Sequence, residues 1–315
     1  MQAASDIVGG EVNTAAAVPE ETQTEHQVLP AYRAMPRTLY VVATPLGNLR
    51  DVTLRGLDVL ASADIVAAED TRVTATLLRH YGIVTKATSL HAHNEAQRAE
   101  SLIAMLAAGK SVAMVSDAGT PAVSDPGARL VRAVRAAGYP VVPIPGASAL
   151  VAAVSAAGLI AESFAFLGFL PRQAKARRAR LLALGNLPIA LVLFEAPHRV
   201  RATVGDLAQY CGPERRLIVA RELTKTFETI TSLSLAEAVG WFAEDPNRER
   251  GELVLIVDAH DERTEVPVMS RDTESWLAAL LQELPPARAA RVVSAVTGVA
   301  RDVVYARALW LQRGR

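Results

Sequence analysis

The stretch Ser116-Asp117-Ala118-Gly119-Thr120-Pro121 sets one carboxylate among small residues. Small neighbours let the main chain approach a ligand closely, and Asp117 can accept hydrogen bonds from a ribose or an amine. A turn in which Asp117 bonds its own loop is the plain alternative. Ser124-Asp125-Pro126-Gly127 follows at once, and two polar, Gly/Pro-shaped turns in succession are more than one helix start requires. Glu69 and Asp70 are adjacent carboxylates, which serve first as caps and helix-dipole partners and only second in acid/base work. Glu195-Ala196-Pro197-His198-Arg199 ends an apolar run, so Glu195 falls where a cleft residue would; a surface cap fits equally. Leu223-Thr224-Lys225-Thr226-Phe227-Glu228 offers a lysine, two hydroxyls and an acid, or else a solvated loop.

Other patterns carry less. His91 and His93 share a face if their segment is extended, but no third ligand stands at a suitable spacing, so no metal site is expected. Pro171 to Arg180 holds the bases Arg172, Lys175, Arg177, Arg178 and Arg180 and no acid. A solvated helix face is the default for such a run, and a phosphate-facing surface competes with it because no acid follows before Glu195. Near the C-terminus Arg301 and Arg307 have the same potential, whereas Tyr305 reads as core. No Gly-x-Gly-x-x-Gly loop follows the first apolar run and no Gly-x-x-x-x-Gly-Lys-Ser/Thr occurs, so neither the dinucleotide fingerprint nor the P-loop is supported.

These residues need elements to hold them. Thr38 to Ala43 is a short β-prone run ending in the turn Thr44-Pro45-Leu46-Gly47-Asn48, and a helix with Leu54, Leu57 and Leu60 on one face follows. Ile65–Ala68 leads into Glu69-Asp70-Thr71-Arg72, Val112–Val115 into the Asp117 loop, and Val141–Ile144 into Pro145-Gly146-Ala147-Ser148-Ala149. Ser124-Asp125-Pro126 reads as an N-cap with proline at the first helical position. Strands alternating with amphipathic helices predict an α/β domain with a largely parallel sheet, whose ligands bind at the strand-end loops. A second set of strands follows at 164–167, 189–194, 217–220 and 253–257, and two closing helices, Ala287–Thr297 and Arg301–Leu311, meet at a turn containing Gly298. The expected organisation is a disordered tail over 1–36, an N-terminal α/β domain over 37–147, a C-terminal α/β domain over 148–264 and a helix-turn-helix-like unit over 268–315.

Composition sets the outer bounds. The chain carries 33 Lys+Arg against 33 Asp+Glu, with 50% hydrophobic residues, as a folded two-domain protein would. Zero net charge argues against indiscriminate coating of nucleic acid. It is an average, however: residues 1–36 hold five acids and one base, leaving 32 bases against 28 acids in the rest. One cysteine, Cys211, excludes an internal disulfide framework and a multi-Cys zinc site. No signal-like N-terminus is visible, and the longest apolar stretch, Ala147 to Ala161, is too short and mild for a membrane span. A cytoplasmic location without membrane attachment is expected.

Taken in order, the blocks resemble the ribosomal small subunit methyltransferase I family. They are Leu39-Tyr40-Val41-Val42-Ala43-Thr44-Pro45-Leu46-Gly47-Asn48-Leu49 with Asp51, Ala68-Glu69-Asp70-Thr71-Arg72, the Ser116–Pro121 and Ser124–Gly127 turns, and Pro145–Ala149. Phe194–Arg199, Arg221-Glu222-Leu223-Thr224-Lys225 with Glu228, and Gly251-Glu252 complete the likeness, which spans about 38–260, with a helical appendage after it. The resemblance implies a tetrapyrrole-methylase-like two-domain α/β fold holding S-adenosyl-L-methionine in the cleft, and a homodimer. It implies 2′-O-methylation of a cytidine ribose in the decoding centre of 16S rRNA, with that RNA or the small ribosomal subunit as partner. Carried over by position, Leu46-Gly47, Asp117-Ala118-Gly119-Thr120-Pro121, Ser124, Ala147-Ser148-Ala149 and Phe194 line the cofactor pocket. Glu195 and Lys225 are the catalytic candidates, with Glu228 and Glu69 behind them; as a base Lys225 has to be neutral, and as an ammonium it holds a phosphate. Arg172, Lys175, Arg177, Arg178 and Arg180 are the RNA-binding candidates. Two rival functions are a small-molecule, tetrapyrrole-type methylase of the same fold and a non-catalytic RNA-binding module.

Overall fold

The computed structural model describes residues 31–92, 94–160, 162–184, 187–259 and 270–313. Most of the expected tail, residues 1–30, lies outside them. Its last residues are packed, which moves the expected boundary at 36 towards the N-terminus. The Tyr32 N–H donates to Asp58 at 2.9 Å, the Met35 N–H donates to the Tyr40 hydroxyl at 2.8 Å, and the Tyr32 and Tyr40 rings meet edge-on.

Five strands, β1 (Leu39–Val42), β2 (Ile65–Ala68), β3 (Ala87–Ser89), β4 (Val112–Val115) and β5 (Val141–Ile144), form an all-parallel sheet in the order β3-β2-β4-β1-β5. Both faces are covered, as near-continuous apolar strands require. Helices α1 (Leu54–Ser62) and α2 (Thr71–His80) close one face over Tyr40, Val66 and Val115. Helices α3 (Glu95–Ala107) and α4 (Ala128–Ala136) close the other over Leu39, Ala67 and Met114. All strands point one way, so the loops after β1, β2, β4 and β5 leave a single edge. Two are tied together there: Thr44 and Gly119 exchange N–H to carbonyl bonds of 2.9 Å in each direction.

Asp70 caps α2 as expected, accepting from the Arg72 N–H at 2.8 Å. The expected cap of α4 is overturned. That helix begins at Ala128 after Gly127, and its free N–H groups are taken by a carboxylate from another helix. Buried Glu95 Oε1 accepts from Gly127, Arg129 and Leu130 at 2.8–3.1 Å. Ser124 and Asp125 are thereby released from capping and can face elsewhere.

The second unit is mixed rather than parallel. Its strands β6 (Phe164–Phe169), β7 (Ala190–Glu195), β8 (Arg216–Arg221), β9 (Thr229–Ser234) and β10 (Leu253–Val257) stand in the order β6-β7-β10-β8-β9, and only β6 and β7 run parallel. Strand β9 is absent from the sequence reading, because its Thr/Ser-rich edge position gives little apolar signal. Helices α6 (Ala174–Leu184), α7 (Val200–Cys211) and α8 (Leu235–Glu244) bury one face of the sheet. Helix α5 (Ala149–Ala157) covers part of the other with Ala153 and Ala157, and the rest of that face opens towards the first unit's loops.

Among the described residues the third unit has three helices, α9 (Arg271–Glu283) ahead of the two expected closing helices α10 (Pro286–Thr297) and α11 (Arg301–Arg313). They share a core of Leu277, Ala289, Ala290, Val293, Val304 and Ala308, and Gly298 closes α10 at φ +74°. Tyr305, expected in that core, is 39% exposed. Among the described residues no helix is long and apolar enough to cross a membrane.

Candidate active site

A cleft of about 400 Å³ opens between the strand-end loops of the first unit and the uncovered face of the second sheet. Of the residues singled out from sequence, Leu46, Asp117, Ala118, Gly119, Thr120, Ser124, Ser148, Ala149, Phe194 and Glu195 line it. Pro121 is buried behind the loop, and Ala147 contributes its carbonyl, which accepts from the Thr120 hydroxyl at 3.1 Å. Sequence reasoning missed Val123, Asp125, Phe169, Ala220, Leu223 and Glu252 as wall residues. Asp125, Leu223 and Glu252 stood in blocks already singled out, the Pro/Gly turn, the Leu223–Glu228 stretch and Gly251-Glu252; Val123, Phe169 and Ala220 carried no signal.

Backbone strain marks the turn beneath the cleft. Ala122 and Ser124 both adopt left-handed φ of +67° and +68°, which side-chain-bearing residues seldom do. Gly127 follows at φ +124°, where a side chain would strike the Met114 thioether. The turn is thus held by its surroundings rather than by local preference.

Carboxylates dominate the electrostatics. Among the described residues the lining contains Glu69, Asp117, Asp125, Glu195 and Glu252 and no Lys or Arg. Asp117 Oδ1 accepts from the Asp70 N–H at 2.9 Å, and the Asp117 N–H donates to Glu69 at 3.4 Å. Burial raises the Glu69 carboxyl above the usual range; the Asp117 N–H partly offsets this, while the charges of Asp117 and Asp70 add to it. Asp125 is pushed further, from 3.8 to about 6, by burial and then by the charge of Glu69, against a stabilising hydrogen bond from Ser116. A cleft that raises its carboxyls this way is set to receive positive charge.

Neither catalytic candidate is free for proton removal. Glu195, at the end of β7, is buried to 3% exposure and its oxygens are occupied. It accepts from the Ala196 N–H at 2.8 Å and from the Thr203 hydroxyl at 2.5 Å, and it pairs with the Arg199 guanidinium at 3.2 Å. Arg199 in turn donates to the Leu170 carbonyl at 2.7 Å, so the cluster fixes the ends of β6 and β7. Lys225 does not line the cleft. Its stem lies against Gly47, where any side chain would collide with it, and its ammonium bridges Glu222 at 2.9 Å and Glu252 at 3.1 Å. Burial would depress this ammonium, but the two carboxylates outweigh burial and hold its pKa above that of an ordinary lysine. The neutral lysine required of a base is therefore not available. Glu228, a reserve candidate, accepts from the Thr224 N–H at 2.5 Å and braces its own loop.

The basic run divides. Arg172, Lys175, Arg178 and Arg180 are exposed, whereas Arg177 is buried and bound to Asp206 of α7 at 2.7 Å. The acid missing from the sequence neighbourhood comes from the next helix, so Arg177 is structural and not part of an RNA-facing surface. Arg178 shares Asp206 at 2.9 Å while remaining half-exposed. In the third unit Arg301 and Tyr305 are exposed, and Arg307 is paired with Glu274. Among the described residues no group of three His, Cys, Asp or Glu side chains is arranged to hold a metal; His93 lies outside them.

Residues 38–239 match the family described as Tetrapyrrole (Corrin/Porphyrin) Methylases, and residues 268–312 match the RsmI C-terminal HTH domain. Curated relatives named ribosomal RNA small subunit methyltransferase I match most of the chain. That of Vibrio cholerae is 46% identical over 85% of this chain and 92% of its own. That of Neisseria meningitidis serogroup A is 48% identical over 86% and 93%. The chain belongs to the ribosomal RNA small subunit methyltransferase I family. Its fold is the tetrapyrrole-methylase fold with an added helical unit. Solved structures of that fold include uroporphyrin-III C-methyltransferase from Thermus thermophilus complexed with S-adenyl homocysteine. That protein is 20% identical, with a TM-score of 0.52 over 70% of this chain and 97% of its own. The methyltransferase CobJ superposes at TM-score 0.55 with 23% identity, over 70% and 93%.

Proposed function

We propose that this chain transfers the methyl group of S-adenosylmethionine to the 2′-hydroxyl of a cytidine in the decoding centre of 16S rRNA. It does so in the cytoplasm, as a homodimer. The observation that carries the cofactor assignment is the cleft itself: among the described residues five carboxylates and no base line it, and because Glu195 and Glu252 are paired to Arg199 and Lys225, the carboxylates of Glu69, Asp117 and Asp125 remain without a cation. Such a cleft suits a ligand bearing a sulfonium and an ammonium and repels a bare phosphate. The apolar surfaces of Leu46, Ala149, Phe194 and Leu223 suit the flat adenine, and the main chain at Gly119, free of a side chain and at φ +80°, allows close approach.

Bound S-adenosylmethionine supplies a methyl group already activated on sulfur. The chain's part is to align the attacking ribose oxygen, an effect worth roughly 7–11 kcal/mol when the geometry is good. Glu195 and Lys225 act here as positioning groups, the first fixing the β6 and β7 ends and the second fastening the β8–β9 loop over Gly47. Because the cleft repels phosphate, the RNA backbone is gripped outside it, by Arg172, Lys175, Arg178 and Arg180 and by the exposed Arg288, Arg291 and Arg301. Nearly half-identity to curated relatives named for ribosomal RNA methylation favours this substrate over a tetrapyrrole. Incubation with labelled S-adenosylmethionine and unmodified small subunits tests it: label is expected in 16S rRNA, and label in no RNA refutes the assignment. Light scattering that reads the mass of one chain refutes the dimer.

A further inference from the structure

Strict alternation along β6 would turn Phe169 away from the cleft. Phe164 and Phe166 pair with Ala190 and Val192, on the sheet face that carries Phe194. Ala165 and Leu167 point the other way, into the core under α6, α7 and α8. An unbroken ladder would send Phe169 to that second face with them. Instead the register slips by one residue between Phe166 and Gly168, so that Phe169 stands opposite Phe194 and shares its face. Bulges re-aim side chains in this way.

The slip is built, not incidental. Gly168 sits at φ +61°, and a side chain there would come within 2.9 Å of the Ser124 hydroxyl, itself held at φ +68° across the cleft. The result is a run of edge-to-face rings: Phe166 to Phe194 at 4.9 Å and Phe194 to Phe169 at 5.8 Å. The last ring lies in the cleft wall and is 52% exposed. An aromatic face left half in solvent beside carboxylates has no electrostatic partner in a phosphate, but it has one in a flat, uncharged ring.

We infer that Phe169 is the platform on which the base of the target nucleotide stacks, holding its ribose over the cleft. The inference rests on the proposed reaction and adds to it a residue that reads the substrate as an unpaired nucleobase. Stacking tolerates any base, so Phe169 selects an unstacked nucleotide and leaves the choice of cytosine to other groups.

Wild type, Phe169→Ala and Phe169→Tyr separate the possibilities. The KM for unmodified small subunits is expected to rise about five- to 150-fold in Phe169→Ala, the range for losing one stacked base. It is expected to stay near wild type in Phe169→Tyr. The Kd for S-adenosylhomocysteine, measured by calorimetry, is expected to change by less than about twofold in both variants, because the ring holds substrate and not cofactor. A parallel rise of that Kd overturns the inference by assigning Phe169 to adenine, and an unchanged KM overturns it as well. If wild type transfers no methyl group to RNA, the reaction assignment fails on its own. Titration with a short single-stranded RNA carrying 2-aminopurine then decides the platform. Quenching lost in Phe169→Ala and kept in Phe169→Tyr supports it, and equal quenching in all three proteins overturns it.

Discussion

Acidification from pH 7 to pH 5 is expected to weaken binding of S-adenosylmethionine about tenfold, through Asp125. In the free protein this carboxyl is raised from 3.8 to about 6, first by burial and then by the charge of Glu69. A cation seated among the cleft carboxylates favours the ionised form and lowers that value again. At pH 5 about ten in eleven free molecules carry the proton, and binding has to expel it; at pH 7 about one in eleven does. Calorimetry at pH 5, 6, 7 and 8 in buffers of different ionisation enthalpy reads both the affinity and the proton released. S-adenosylhomocysteine, which lacks the sulfonium charge, is expected to show a weaker dependence, and Asp125→Asn to lose it. The same shift governs stability. A carboxyl raised in the folded state favours folding fully below about pH 4, and that contribution is lost as pH rises through about 6. Asp125→Asn is therefore expected to raise the melting stability of the ligand-free protein at pH 7.5, by about 1–2 kcal/mol after allowing for screening of a partly exposed group. An affinity that changes by less than twofold between pH 5 and pH 7, or an Asp125→Asn variant with the full tenfold dependence, refutes the reasoning.

Further tests separate structure from chemistry. Glu195→Gln leaves the Arg199 guanidinium short of its buried partner, so a stability loss of about 3–5 kcal/mol is expected in denaturant unfolding; a variant that melts like wild type but is catalytically dead would restore Glu195 to the chemistry. Replacing Arg172, Lys175 and Arg180 together with Ala is expected to weaken RNA binding and to reduce its salt slope by about two units, read by filter binding. Arg177→Ala is instead expected to lower stability by stranding Asp206, and an Arg177→Ala protein of full stability would contradict the burial argument. Gly168→Ala forces an unfavourable φ and a contact with Ser124, and is expected to reduce kcat with little change in overall fold by circular dichroism; full activity would mean that the bulge does not set the cleft.

Four strands of the first sheet were legible because they are short apolar runs followed by Gly/Pro turns, and the cleft loops followed from parallel topology; edge strand β3, Ala87-Thr88-Ser89, was missed because it has no apolar run. The second unit was read less well for physical reasons. Edge strand β9 is Thr/Ser-rich, and no helix separates it from β8, its one antiparallel neighbour, to announce it. Long-range polar pairing was invisible: Glu95 capping α4 and Asp206 neutralising Arg177 join residues 34 and 29 positions apart, respectively, which no local pattern records. Phe169 was missed because the strand was read only to 167, and the register slip in β6 that turns Phe169 towards the cleft leaves no mark in the local pattern. The setting of Lys225 was hidden for a related reason, since its partner Glu252 stands 27 positions on, just before β10.

The most direct test of the account is to transfer labelled methyl groups to unmodified small ribosomal subunits and to map the product by nuclease digestion and mass spectrometry. One 2′-O-methylcytidine in the decoding-centre segment of 16S rRNA is the predicted result. Label on a base, on a different ribose, or only on a tetrapyrrole acceptor would contradict it.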